Sequence, residues 1–323
     1  MRKNNFRKSL VPFLYKQRFI IIVAALIVAI IPFLFKTKTR TVKIDVVNYI
    51  QKYKYVLEKG VEVKTVPGYE DVIWTCWLQG EENAPRIIKV CWKTLAKNNP
   101  NSKIIIITEK NLDQYITLPK YIKDKYHRGI ISKTHLSDYI RLCLLQKYGG
   151  TWTDASCYFT DKIPNEIFRT SFFQFKNPFW YLCKNVPSVA MLKSISKIQP
   201  KLTYWHTGSS WFLHAKPNNP IINKTKLLLE EYWKNEDSLV DYFLFHYFLT
   251  FAVMNDKTCK NEFYKMINLN NVYPHILQFV FKEVYNKQLY DEIKRGSFVH
   301  KLTWKIDLPK KDDFYNFLLD EKD

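Results

Sequence analysis

Apolar residues along this chain come first as one unbroken run and then as short blocks separated by polar turns. The run, Phe19 to Phe35 (FIIIVAALIVAIIPFLF), holds seventeen residues without a charge between Arg18 and Lys36. That is the short end of a membrane-spanning helix, and Pro32 is placed to kink it or end it early. It is long for a signal-peptide core, and the Lys36 to Arg40 exit offers no small-residue cleavage site. An uncleaved anchor at 19–35 is therefore expected, between a basic flank at 1–18 and a basic, partly helical stalk at 36–69. Within the stalk Val46, Ile50, Tyr53 and Leu57 recur at helical spacing, which suits a helix packed on the domain or one lying on a membrane.

The blocks that follow alternate between two periods. DVIWTCW (71–77) and SKIIIIT (102–108) read as buried strands, with a helix from Pro85 to Asn98 between them. Strand, helix, strand in so short a span is a βαβ unit with parallel pairing and a right-handed crossover. A helix from Ser132 to Tyr148 stops at Gly149-Gly150, and Thr151 to Asp154 reads as a short strand that delivers Asp154 to its end. Ligands of open parallel sheets gather at the carboxyl ends of strands, so a carboxylate there is well placed. Farther on, 172–182 reads as core, Thr207 to Ser210 as a loop, and Pro220 to Trp233 and Asp237 to about Asn255 as helices of a second layer. The predicted class is α/β, a Rossmann-type, mostly parallel sheet flanked by helices, with the domain at 70–305 and a tail at 306–323.

Charge sharpens the picture at the amino end. The net charge is +20, and residues 1 to 60 carry 13 Lys/Arg against 2 Asp/Glu. Basic residues beside an apolar run point to anionic lipid, whereas a nucleic-acid binder carries its basic face on the folded domain. Six basic residues precede the run and four follow closely, so the charge bias favours an inside N-terminus only weakly, and a monotopic insertion satisfies both flanks. The six cysteines are scattered without C-x-x-C pairs, which argues against a zinc site or a disulfide scaffold.

Asp138 and Arg141 stand three apart on the predicted helix and share a face, as an ordinary surface ion pair also would. Because that helix leads into the strand bearing Asp154, an acid, an arginine and a second acid converge on one edge of the sheet.

The run SDYIRLCLLQKYGGTWTDAS, Ser137 to Ser156, resembles the capsular polysaccharide synthesis branch of the Asp-x-Asp sugar-transfer glycosyltransferases. The resemblance continues through Ile73-Trp74 with Trp77 and Gly80, DYFLFH at 241–246 and VHKLT at 299–303, and covers roughly residues 70 to 305. It implies a GT-A fold that binds a nucleoside diphosphate sugar. By position, Trp74 would lie near the base, Asp138 and Arg141 would hold the donor sugar and its phosphates, and Asp154 would serve the metal and ribose edge. A departing diphosphate develops negative charge that a divalent cation (Mn2+ or Mg2+), Arg/Lys, or both must stabilise. Ser156 stands where wider relatives carry a second Asp; its hydroxyl is a weak ligand, fit at best to orient a metal-bound water. Either Asp154 ligates with help from elsewhere, or protein cations take over part of the metal's work. The resemblance implies that His300 completes the metal site and that Lys301 beside it neutralises diphosphate; a core histidine next to a solvated lysine is the other reading. Asp241 is a candidate base for an inverting transfer, or an acid favoured in the first turn of a helix. The segment His206 to Trp211 suits a sugar-facing loop or a plain turn.

The sequence thus predicts a membrane-anchored glycosyltransferase whose partners are a nucleoside diphosphate sugar, a glycan or lipid-linked saccharide acceptor of a capsular or surface polysaccharide, and membrane lipids. In a bacterium the donor is cytosolic and the domain would face the cytoplasm. The alternative is a non-catalytic nucleotide- or glycan-binding protein that kept the fold and lost its metal site at Ser156.

Overall fold

A computed structural model describes residues 46–176, 206–269, 271–305 and 312–320. The expected anchor at 19–35 lies outside them, and among the described residues no helix is long and apolar enough to cross a membrane.

In chain order the elements that position the site are β1 (Ile73–Cys76), α1 (Arg86–Asn98), β2 (Ile104–Ile107), α2 (Lys133–Lys147), β3 (Gly150–Thr153), β4 (Cys157–Phe159) and β5 (Phe172–Lys176). They continue with β6 (Gly208–Ala215), α3 (Pro220–Asn235), α4 (Leu244–Asn255), α5 (Tyr273–Phe279), β7 (Val299–Lys301) and α6 (Phe314–Asp320). The main sheet runs β2-β1-β3-β6-β5. β1 pairs in parallel with β2, Ile73 opposite Ile104, and with β3, Trp74 opposite Trp152. β6 runs against both β3 and β5, so four of the five strands point one way and the fold is mixed α/β with a mostly parallel sheet. A separate antiparallel pair, β4 with β7, sets Cys157 opposite Lys301 and Tyr158 opposite His300.

The βαβ unit forms as its apolar blocks require, with Ile73, Trp74, Ile105 and Ile107 buried and Ile87, Ile88, Cys91 and Leu95 turned inward from α1. α2 is set by its ends. Ser132 caps it by accepting the His135 backbone N–H, and Gly149 closes it by donating to Leu145 O at 3.1 Å. Every residue from Leu136 to Leu145 is buried except Ser137. A helix enclosed on so many sides must satisfy any charge it carries internally. Gly150 then enters β3 with φ +91°, and a Cβ there would lie 2.6 Å from Val72 O. No other residue fits where the chain turns from α2 into the sheet.

Several boundaries depart from expectation. Thr207 to Ser210 is not a loop, because Gly208 opens β6 where a side chain would collide with the Phe175 carbonyl of β5. The helix expected from Asp237 begins at Leu244. The segment assigned to a C-terminal tail contains α6, whose Phe314 and Leu318 are fully buried in one core cluster with Ile88 and Cys91 of α1, Ile276 of α5 and Leu302. Val284 and Asp313 form an isolated bridge that ties this end down. In the stalk, the chain from Tyr53 packs on the domain. The Tyr53 ring lies 5.7 Å from that of Phe248 and its hydroxyl donates to Glu236, while Lys224 Nζ donates to the Leu57 and Lys59 carbonyls at 2.8 Å.

Gly150→Ala is expected to cost about 3 kcal/mol, from a strained backbone and a contact with backbone that cannot move aside. Urea unfolding followed by tryptophan fluorescence measures it; an unchanged midpoint would show that this turn has room the packing denies.

Candidate active site at the carboxyl end of the sheet

β3 ends at Thr153, and Asp154 follows at the carboxyl end, its N–H bonded to Trp211 O at 2.8 Å and its carbonyl accepting the Cys157 N–H at 3.0 Å. These bonds fix the carboxylate between three side-chain donors. Oδ1 accepts from Trp152 Nε1 at 3.0 Å and Arg141 Nη2 at 3.2 Å, and Oδ2 accepts from Lys301 Nζ at 2.9 Å. Trp152 reaches Asp154 because residues two apart on a strand share a face.

Arg141 lies beneath. Its Nη1 donates to Ser210 O at 2.8 Å and pairs with Asp138 Oδ1 at 3.2 Å, and its guanidinium rests 4.9 Å from the Trp152 ring centre and 5.2 Å from that of Phe245. Lys301 arrives from the far end of the chain. β7 holds it opposite Cys157, and Leu302 N donates to Ser156 O at 2.8 Å, so its ammonium also donates to Ser156 Oγ at 2.7 Å. The inner half of the cluster is closed, with the side chains of Arg141 and Asp138 only 4% and 11% exposed. The outer half is open, with Lys301 and Asp154 at 24% and 25%.

Charge states follow from these contacts. Burial pushes the Asp154 carboxyl up, but Lys301 and then Arg141 outweigh it and hold the group below its ordinary range. Burial pulls Lys301 down, and Asp154 more than restores it, leaving the ammonium held above its usual value. Asp138 goes the other way: burial pushes it up to about 6 against the pull of Arg141.

The family model described as capsular polysaccharide synthesis protein matches residues 34–318, a span that holds every residue of this cluster. The chain belongs to that family. Among solved structures, this chain is similar to one titled "PaToxG Glycosyltransferase", at 15% identity and a TM-score of 0.38 over 83% of this chain and 99% of that one, a likeness too remote to bear on the site. No curated protein matches it.

Of the candidate residues, Asp138, Arg141, Asp154, Ser156 and Lys301 come together, and three do not. Trp74 is fully buried; its indole N–H bonds Gly149 O at 2.9 Å, and its ring stacks on Tyr69 at 5.7 Å and meets Tyr115 and Tyr148. It holds the start of β3 and cannot face a base. His300 is fully buried beside Lys301, because neighbours on a strand point to opposite faces. Its Nε2 lies 3.2 Å from Thr160 Oγ1 and its Nδ1 3.3 Å from Tyr273 O, and burial pushes it down to about 4. Asp241 accepts the Phe243 N–H at 2.7 Å just before α4, and no contact joins it to Asp154 among the described residues. The ligands expected for a divalent cation therefore do not converge, since Lys301 holds Asp154 and Ser156 while His300 faces away. Among the described residues no group of three His, Cys, Asp or Glu is placed to hold a metal ion, and the residues present do not fit one.

Two features escaped the sequence reading. Trp304, 41% exposed, meets Trp77 edge-on at 5.5 Å just past the ends of β7 and β1. A tryptophan three residues beyond the lysine was visible, but its partner across the fold was not. The second is an imidazole: burial and then Lys301 push His275 down to about 4.

Because Asp138 releases its proton more reluctantly folded than unfolded, the native state binds more protons than the unfolded state between pH 3.8 and about 6. Its contribution to stability therefore falls as pH rises through that window. The stability of Asp138→Asn relative to the parent is expected to rise across it by on the order of 3 kcal/mol, read from urea midpoints at stepped pH. A constant difference would place Asp138 in a solvated setting.

Proposed function

We propose that this protein is a glycosyltransferase that moves a sugar from a nucleoside diphosphate sugar to a glycan or lipid-linked saccharide in surface polysaccharide synthesis. The observation that carries the reading is Asp154 at the carboxyl end of β3, held between Arg141 and Lys301 with its outer edge open. Such a pair of fixed cations suits a leaving group that gains negative charge as it departs, and the family's role in capsular polysaccharide supports a sugar as the group moved. In the reaction, the bond from the anomeric carbon to the β-phosphate oxygen breaks with its electron pair passing to that oxygen. The acceptor hydroxyl oxygen forms the new bond to carbon and releases its proton to solvent.

Within this scheme Lys301 and Arg141 stabilise the diphosphate. Asp154 fixes both cations, and its exposed edge accepts hydrogen bonds from donor hydroxyls. Trp304, exposed three residues past Lys301 and edge-on to Trp77, offers an apolar ring fit for a sugar or a base. The apolar run at 19–35 would tether the enzyme beside a membrane-bound acceptor and raise its effective concentration there.

Asp154→Asn keeps the shape and removes the charge, so donor hydrolysis and transfer are expected to fall roughly 10³-fold while circular dichroism stays the same. Incubating the full chain with uridine, guanosine and thymidine diphosphate sugars and following nucleotide release tests this. A variant as fast as the parent would remove Asp154 from the chemistry, and tight donor binding without release by either protein would favour the non-catalytic reading.

A further inference from the structure

We infer that Lys301 is the built-in cation of this site, so that the chain holds a donor diphosphate without a divalent metal. The inference rests on the proposed transferase reading and specifies how its site is charged.

Three observations carry it. The first is position: Lys301 Nζ sits 2.9 Å from Asp154 Oδ2 and 2.7 Å from Ser156 Oγ, bridging the two side chains of the acidic motif that would otherwise share a metal. A hydroxyl at 156 accepts from an ammonium without adding charge, whereas a carboxylate there would raise the negative charge that draws a divalent ion. The second is charge balance. The single charge of Asp154 already faces Arg141 at 3.2 Å and Lys301 at 2.9 Å, so an arriving divalent ion would meet two fixed cations and no surplus of anions. The third is valence. An ammonium has three protons, Asp154 and Ser156 take two, and the partly exposed lysine head keeps one for a ligand oxygen.

The backbone makes this cation permanent. β7 is paired to β4 with Lys301 opposite Cys157, and the Leu302 N–H to Ser156 O bond at 2.8 Å clamps the lysine's own strand to the acidic turn. A diffusible metal is captured from solution, whereas this charge arrives with the fold. A diphosphate that comes with its metal bound would find both oxygens of Asp154 already engaged, Oδ1 by Trp152 and Arg141 and Oδ2 by Lys301.

The test uses the full chain and the diphosphates UDP, GDP and TDP, titrated by calorimetry in EDTA and again in excess MnCl2. One diphosphate is expected to bind in EDTA, with an affinity that manganese changes by less than about threefold. Lys301→Met is expected to weaken binding in EDTA at least tenfold, on the order of 1.4 kcal/mol, and Lys301→Arg to recover most of it. In parallel, the paramagnetic resonance signal of free Mn2+ should be undiminished by the parent protein, and Ser156→Asp should reduce it by creating the second carboxylate. That variant keeps the question answerable if Lys301→Met fails to fold. Binding that appears only with manganese, or loss of the free Mn2+ signal on adding the parent protein, would overturn the built-in cation and leave the transferase reading intact. Failure of every diphosphate to bind a folded sample under either condition would sink both.

Discussion

A guanidinium buried in the middle of the protein must be matched, and much of this architecture can be traced to the way Arg141 is matched. Taking such a charge out of water costs several kcal/mol, repaid only when hydrogen bonds and opposite charge surround it in good geometry. Asp138 supplies one carboxylate from the preceding turn of α2, Asp154 supplies another from the end of β3, and Ser210 adds a carbonyl from β6. The helix, the central parallel strand and the antiparallel strand are thereby drawn to one point. Two aromatic rings, Trp152 and Phe245, complete the enclosure. Lys301 is the fourth party, and it takes the side of Asp154 that Arg141 leaves open.

That arrangement explains the opposite behaviour of two carboxylates on one arginine. Among the described residues Asp138 has a single cation within ion-pair distance, and it lies on the closed side, so burial dominates. Asp154 has two and lies at the open edge, so attraction dominates. Residues of one type thus acquire different tasks from their neighbours alone: one holds an arginine in place, and the other stays ionised where a ligand would arrive.

What the sequence disclosed, and what it withheld, follows from the range of the forces involved. The βαβ unit and α2 were legible because apolar spacing and end signals such as Ser132 and Gly149 act within a few residues. The place of Asp154 was legible because strand ends follow from strands. The direction of β6 was not, since GSSWFLHA carries nothing local that says which neighbour it will pair with, and a glycine-serine start mimics a turn. The face of β7 was hidden for a similar reason. Three residues give too short a stretch to show alternation, and only pairing with β4 decides that Lys301 and not His300 turns to the acidic motif. Trp74 misled because an aromatic on a strand beside a ligand edge is outwardly the same as one that fills the core.

The bond between Lys301 and Asp154 joins residues 147 apart in the chain. Synthesis proceeds from the amino end, so the acidic motif emerges and its sheet can begin to pair long before the lysine exists. Until β7 is made, Asp154 stands at an open edge with only Arg141 and Trp152 to hold it. Any nascent or truncated chain ending before residue 299 lacks the lysine altogether, and with it half of the positive charge on that carboxylate. In this protein, translation to the last strand is what finishes the site, and a shortened chain would be a sheet and a carboxylate without their second cation.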